Sequence, residues 1–132
     1  MIYKYNEKVD VKEICDLRQS VGWNRMEKEM ADPRLNSYYH IAVYEEENQK
    51  LIGFVDSVSN GVTDAYIQDL MVHPDFQDKG LGSELMNKII NCIPESTAVF
   101  CCRVIHQLNC GTAYTSAWCV YNPQKVYVII MI

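Results

Sequence analysis

Apolar and polar positions recur along this chain at two periods, and the points where one period gives way to the other mark its elements. Residues 1–5 (MIYKY) alternate and predict a first strand. Asp10, three residues before Glu13, forms a cap-like pair ahead of Val11, Ile14, Leu17 and Val21, whose spacing predicts an amphipathic helix ending near Gly22. Asn24 with Glu27 repeats the cap pattern, Met26 and Met30 share a face, and Asp32-Pro33 stops that second segment. Residues 38–44 (YYHIAVY) and 51–57 (LIGFVDS) read as strands joined by the polar turn 45–50, so they predict a hairpin. Ser59-Asn60-Gly61 is a second turn, after which residues 63–72 return as a central strand.

From Gly80 the period lengthens. Leu81, Leu85, Met86, Ile89, Ile90 and Ile93 fall on one face of a helix, while Glu84, Asn87, Lys88 and Asn91 fall on the other. The order is strand, Pro-containing loop, glycine pair, helix, and it predicts an anion site. A helix start leaves about four backbone N–H groups without intrahelical partners, and the aligned peptide dipoles add partial positive charge there. Gly80 and Gly82 lack Cβ atoms, so a phosphate can approach the backbone closely. The sequence is not a P-loop, because Lys79 precedes the glycines, and not a dinucleotide fingerprint, because Leu85 stands where the third glycine would be.

The segment Gln77-Asp78-Lys79-Gly80-Leu81-Gly82, preceded by Val72-His73-Pro74, instead resembles the acyl-CoA loop of the GNAT superfamily of N-acetyltransferases, [RQ]-x-x-G-x-[GA] after a strand ending in a Val-x-Pro-like element. The resemblance covers roughly residues 1–102. It implies an α+β domain with a mixed, mainly antiparallel sheet flanked by helices around a V-shaped acyl-CoA cleft. It implies an acyl-CoA-dependent N-acetyltransferase with acetyl-CoA as co-substrate, and an acceptor that is a small-molecule or peptide amine attacking the thioester directly. The backbone of Gln77, Asp78, Lys79, Gly80, Leu81 and Gly82 would hold the pyrophosphate, with Ser83 offering a hydroxyl. Leu70, Met71 and Val72 would pair with the pantetheine arm, and an N–H at this strand end would polarise the thioester carbonyl.

For the amine's proton the candidates lie on the same strand. Alternation puts Tyr66, Gln68 and Leu70 on one face and Asp69 on the other with Ile67 and Met71. Tyr66 stands where some relatives carry a basic carboxylate, so a water relayed by Tyr66 or Gln68 is one route and Asp69 the other. Trp23 reads either as a core anchor or as a wall of the acceptor side. Neither His40 nor His73 has a nucleophile or carboxylate partner by spacing, and neither is given a catalytic role.

Composition narrows these readings. The 132 residues suit one domain spanning residues 1–132. A net charge of −5 argues against nucleic acid as a partner. No apolar run approaches a membrane span and the first residues lack a signal-peptide pattern, so a cytoplasmic protein with no membrane partner is expected. None of the cysteines forms a C-x-x-C pair. Cys101, Cys102, His106 and Cys110 could supply ligands, but adjacent cysteines are poorly placed on one tetrahedral ion; buried thiols and no metal are expected.

The chain changes character after residues 98–102, which read as a fifth strand. No acidic residue occurs beyond Glu95, and residues 103–132 form a divergent tail. The family's Tyr-bearing helix with a following Gly-Phe pair is absent there; Tyr114 is the nearest substitute for the acid that would protonate the departing thiolate. That departure leaves open an acyl-CoA-binding module with lost or weak catalysis. Residues 124–132 (QKVYVIIMI) read as a terminal strand, apolar on both faces, and predict insertion in a sheet and a homodimer through this strand.

Overall fold

The computed structural model describes residues 1–102 and 127–130. Six strands form one sheet in chain order: β1 (Ile2–Tyr5), β2 (His40–Tyr44), β3 (Leu51–Ser59), β4 (Asp64–Val72), β5 (Ala98–Cys102) and β6 (Tyr127–Ile130). The first four pair antiparallel; β4–β5 and β5–β6 are parallel, so the sheet is mixed and mainly antiparallel, as the resemblance implies. Antiparallel neighbours need only a turn, whereas the parallel β4–β5 step needs a crossover, and the helix α3 (Leu81–Cys92) supplies it.

Each face of the sheet has its own core. Leu81, Leu85, Met86, Ile89 and Ile90 of α3, with Ile93 beyond it, pack on Ile41, Val43, Ile52, Val55, Ala65, Ile67 and Val99. Burying each of the Val, Leu, Ile and Met side chains among them contributes ~1.5–3 kcal/mol. The helix comes close because β3 carries Gly53 beneath it: a Cβ there would lie 3.1 Å from Leu85 Cδ1 and 3.5 Å from Leu81 Cδ2. On the opposite face Ile14 and Leu17 of α1 (Val11–Ser20) pack on Ala42, Tyr44, Leu51, Phe54 and Met71. Asp10 caps α1 as expected, its side chain accepting from the Lys12 N–H at 2.7 Å.

The second predicted cap is not made. The helix α2 (Glu27–Met30) is a single turn preceded by Met26 in the left-handed region, φ 55°, with no side-chain cap. The stretch before it is held instead by arginines, which compete with the local Asn24–Glu27 pairing. Arg18 Nε donates to Asn24 O at 2.8 Å, and Arg25 reaches Asp16 at 2.6 Å, Glu27 at 2.7 Å and Gln19 at 2.9 Å. The terminal strand is present as β6, paired with β5 through Val99↔Tyr127 to Cys102↔Ile130. Tyr114, His106 and Cys110 lie outside the described residues, as do the ends of the 124–132 strand.

Candidate functional site

The end of β4 and the start of α3 build the site from backbone. Pairing of β4 with β5 runs from Asp64↔Ala98 to Ile67↔Cys101 and stops, so among the described residues the segment Gln68–Val72 has a sheet partner only on the β3 side. The His73 N–H donates to Ile52 O of β3 at 2.8 Å. Strand alternation then turns the Val72 N–H and C=O the other way, toward the unpaired edge. There the Val72 C=O accepts from Gln77 Nε2 at 2.8 Å, which ties the loop to the strand end and leaves the Val72 N–H facing the edge. Among the described residues Leu70, Met71 and Val72 therefore lie beside an unpaired edge, and Gln77 is the clasp that shapes it.

Between Gln77 and the helix the chain turns twice through the left-handed region, at Asp78 (φ 62°) and Gly80 (φ 81°). Gly80 is the N-cap residue of α3 and offers no side chain to the helix start. The Glu84 N–H is bonded to Gly80 O at 3.0 Å, so the N–H groups of Leu81, Gly82 and Ser83 precede the hydrogen-bond ladder of the helix. A glycine cap here leaves those donors to a ligand, where Ser or Asp would have satisfied one of them. Phe76, on the short 3₁₀ turn Pro74–Phe76, packs on the α3-side core and lies under Lys79, whose Nζ is 5.6 Å from its ring centre. Pyrophosphate fits this set of donors with the Lys79 cation beside it.

Across the sheet lies a polar cluster that the alternation pattern misplaced. The β3–β4 register shifts between Phe54↔Met71 and Asp56↔Gln68, so Asp69 and Leu70 together oppose Val55, and Asp69 adopts φ 54°. This bulge reverses parity along β4. Before it Ala65 and Ile67 face α3; after it Leu70 and Val72 do, while Met71 faces α1. The expectation that Asp69 shares a face with Ile67, and Leu70 with Tyr66 and Gln68, is therefore corrected. Asp69 faces α1, where Arg18 Nη1 stands 3.8 Å from its Oδ1. The bulge therefore puts Asp69 on the same face of β4 as Tyr66 and Gln68.

Three further residues of this cluster escaped the sequence reading. Asp56 on β3 is buried beside it, accepting from the Ser57 N–H at 2.7 Å and from the Ser37 side chain. Burial pushes its carboxyl up, against the pull of those two hydrogen bonds. Burial also pushes up Asp69, and Arg18 draws it partly back. Arg18 itself is buried, with Nη2 3.0 Å from Met26 Sδ and its guanidinium 5.4 Å from the centre of the Trp23 ring. Trp23 packs against the α1-side core while stacking on this cation. The overlooked signals were an acid inside the apolar strand LIGFVDS and an arginine four residues after Ile14 on the apolar stripe of α1. His40 pairs with Asp56 across β2–β3, and its ring lies 5.9 Å from that of Phe54.

Among the described residues, then, an unpaired stretch of strand edge leads to an uncapped helix start, with a polar cluster on the opposite face. The chain belongs to the acetyltransferase (GNAT) family, whose profile matches residues 9–121. An uncharacterized N-acetyltransferase, ycf52, of Gracilaria tenuistipitata var. liui is 39% identical over 84 residues, covering 61% of this chain and 44% of that protein. The chain spans about half the length of the curated relatives it matches. Among solved structures, a GNAT-family acetyltransferase of Streptococcus pneumoniae superposes with a TM-score of 0.64 at 24% identity, over 83% of this chain and 80% of that one. The GNAT-family N-acetyltransferase YhbS of Escherichia coli, solved in complex with CoA, superposes with a TM-score of 0.57 at 19% identity, over 69% of this chain and 54% of that one. These two establish the fold.

Proposed function

We propose that this domain transfers the acetyl group of acetyl-CoA to a primary amine by direct attack within a ternary complex. The carrying observation is the pairing of an uncapped α3 start with a stretch of β4 edge that, among the described residues, lacks a β5 partner. The CoA complex of the structural neighbour supports the same ligand here. When bound, acetyl-CoA supplies an acetyl group activated as a thioester. The amides of Leu81, Gly82 and Ser83 and the loop from Gln77 to Gly80 hold the pyrophosphate. The open edge at Leu70–Val72 hydrogen-bonds the pantetheine arm and turns an N–H toward the carbonyl oxygen.

The amine arrives on the α1 side. The nitrogen of the neutral amine forms the new bond to the acetyl carbon as the carbon–sulfur bond breaks, CoA leaves as its thiolate with the bonding pair, and the proton shed by nitrogen passes to Asp69, directly or through a water held by Tyr66 and Gln68. Asp69 suits this role better than Asp56. Among the described residues Asp69 accepts no hydrogen bond and its side chain is 31% exposed, whereas Asp56 is buried and committed to Ser37 and Ser57. The alternative is an acyl-CoA-binding module without turnover, which the missing Tyr and Gly-Phe pattern in residues 103–132 favours.

Thermal-shift titration tests the cradle, because a ligand that binds only the folded state raises its apparent stability. Acetyl-CoA and CoA should both stabilise the protein, and absence of any shift would sink both readings. Thioester consumption across a panel of amines then separates enzyme from binder. We also propose that β6 lies at a homodimer interface; light scattering that gives a monomer would exclude this.

A further inference from the structure

We propose that Arg18 is the positioning residue of the acceptor side: its guanidinium pins the loop from Val21 to Met26 over the β4 bulge and sets the aim and charge of the Asp69 carboxylate. The inference rests on the reading of Asp69 as the proton acceptor and goes beyond it by naming what holds that group ready.

The argument begins with cost. Burying a guanidinium, on a side chain only 10% exposed, is unfavourable unless its donors are used. Two of them are spent on the neighbouring loop, at Asn24 O and Met26 Sδ, and the planar face lies on Trp23. The Arg18 backbone takes part as well, since its C=O accepts from the Trp23 N–H at 2.9 Å. Only Nη1 points at the bulge, and at 3.8 Å from Asp69 Oδ1 it is within Coulombic range but beyond hydrogen-bond reach. Such a cation stabilises the carboxylate without occupying its lone pairs, which is what a base awaiting an ammonium requires. A direct Arg–Asp fork would have satisfied the carboxylate and blunted it.

The electrostatic surroundings make this cation necessary. Among the described residues, the titratable and charged groups facing the bulge are Arg18 from α1, Asp56 from β3, Tyr66 from β4 and, beside Asp56, His40 from β2, with Tyr44 and the buried Cys15 farther along the face. Arg18 is the only cation in that set apart from a protonated His40. Burial pushes both aspartates toward the neutral form, so without Arg18 the carboxylate nearest the cleft is the easier to protonate.

Arg25 provides the control. It pins the same loop from outside, through Asp16, Gln19 and Glu27, and forms no ion pair with Asp69. The experiment follows the carboxyl ¹³C titration of Asp69 in the full chain with no ligand added, for wild type, Arg18→Gln, Arg18→Lys and Arg25→Gln. Arg18→Gln should raise the Asp69 midpoint by about one pH unit or more. Arg18→Lys, which keeps a cation but not the planar fork, should return most of that shift and still raise KM for the amine. Arg25→Gln should leave the midpoint where it was. In turnover, the acid limb of the kcat/KM profile should move up in Arg18→Gln by the same amount, with the Kd for CoA unchanged. An unmoved Asp69 midpoint in a folded Arg18 variant overturns the proposal, as does an equal shift in Arg25→Gln. A shifted midpoint in a protein that acetylates no amine upholds the electrostatic role and refutes the assigned reaction.

Discussion

The two faces of the sheet solve different problems with different chemistry. The α3 face is hydrocarbon against hydrocarbon: Leu85, Ile89 and Ile90 pack on Val43, Val55 and Ile67, and the functional product of that packing is backbone, an uncapped helix start held beside a strand edge. The α1 face has a smaller apolar core and buries Arg18 and Asp56, with Asp69 at its rim. In the reading proposed above, backbone amides positioned by a rigid seam would serve a phosphate whose shape does not vary. Side chains on a bulged strand would serve proton transfer, where charge and aim must be tuned. Gly53 beneath the helix and Asp69 at the bulge are the residues on which each face turns.

If that division holds, damage on each side should register differently. Asp69→Asn keeps shape and removes the proton acceptor, so kcat should fall by about 10²–10⁴-fold while calorimetric affinity for CoA stays unchanged. A parallel loss of CoA affinity would show that the two faces are not separable. Gly82→Val should do the reverse: a side chain among the first free amides of α3 displaces charge-assisted contacts worth ~1.5–3 kcal/mol each, so Kd should rise by about a hundredfold. Circular dichroism should stay native, and unchanged affinity would refute the cradle.

The seam itself can be tested through Gly53→Val. The added Cβ would stand 3.1 Å from Leu85 Cδ1 and 3.5 Å from Val43 Cβ, so the Leu85 side chain must give by a few tenths of an ångström, and the two γ-methyls of valine press further against the seat of α3. Overpacking of this kind costs ~1–3 kcal/mol, to be read from the denaturant midpoint. CoA affinity should weaken with it, because the same displacement shifts the helix start. A variant destabilised yet binding CoA normally would mean that the cradle does not depend on how closely α3 is seated.

The contrast also explains what could be read in the sequence. On the α3 face the period of Leu81, Leu85, Ile89 and Ile93 and the glycine pair lay in the open, because a helix on an apolar sheet leaves a regular pattern. The glycine loop and helix start were accordingly legible to the residue. The polar cluster on the α1 face was not, because strand alternation assumes an unbroken pleat, and one inserted residue at Asp69 and Leu70 inverts everything after it. Nor does local spacing reveal that Arg18, on α1, meets Asp69 across the fold, or that Ser37 reaches Asp56. Long-range polar pairs leave no period.

Asp56 gives a pH signature confined to the α1 face. Burial raises its folded-state value above the ordinary carboxylate range, so protonation favours the fold. Its contribution is fully present below that ordinary range and is lost as pH rises through the folded value. Asp56→Asn removes that loss while keeping an oxygen for the Ser57 N–H and an amide for Ser37. The variant should therefore melt above wild type near pH 7 and approach it below about pH 4. A variant less stable than wild type at neutral pH would mean that the ionised carboxylate is a net stabiliser of this face.

The smallest expected effect lies back at the cradle, where charge assists a site made of backbone. Lys79 is exposed on the loop, and its Nζ sits 5.6 Å above the Phe76 ring, which itself packs on the α3-side core. Such a cation adds long-range attraction for CoA phosphates and a weak hold on its own aromatic neighbour, each ~0.5–1 kcal/mol. Lys79→Ala should weaken CoA by about two- to fivefold at low salt. The difference should shrink as ionic strength rises toward ~0.5 M, since screening acts on an exposed charge and leaves amide contacts largely intact. Isothermal titration at several salt concentrations separates the two contributions. A deficit that persists at high salt would assign Lys79 to holding Phe76 and the loop in place, and a deficit as large as that of Gly82→Val would mean that the cradle depends on side-chain charge more than on its backbone.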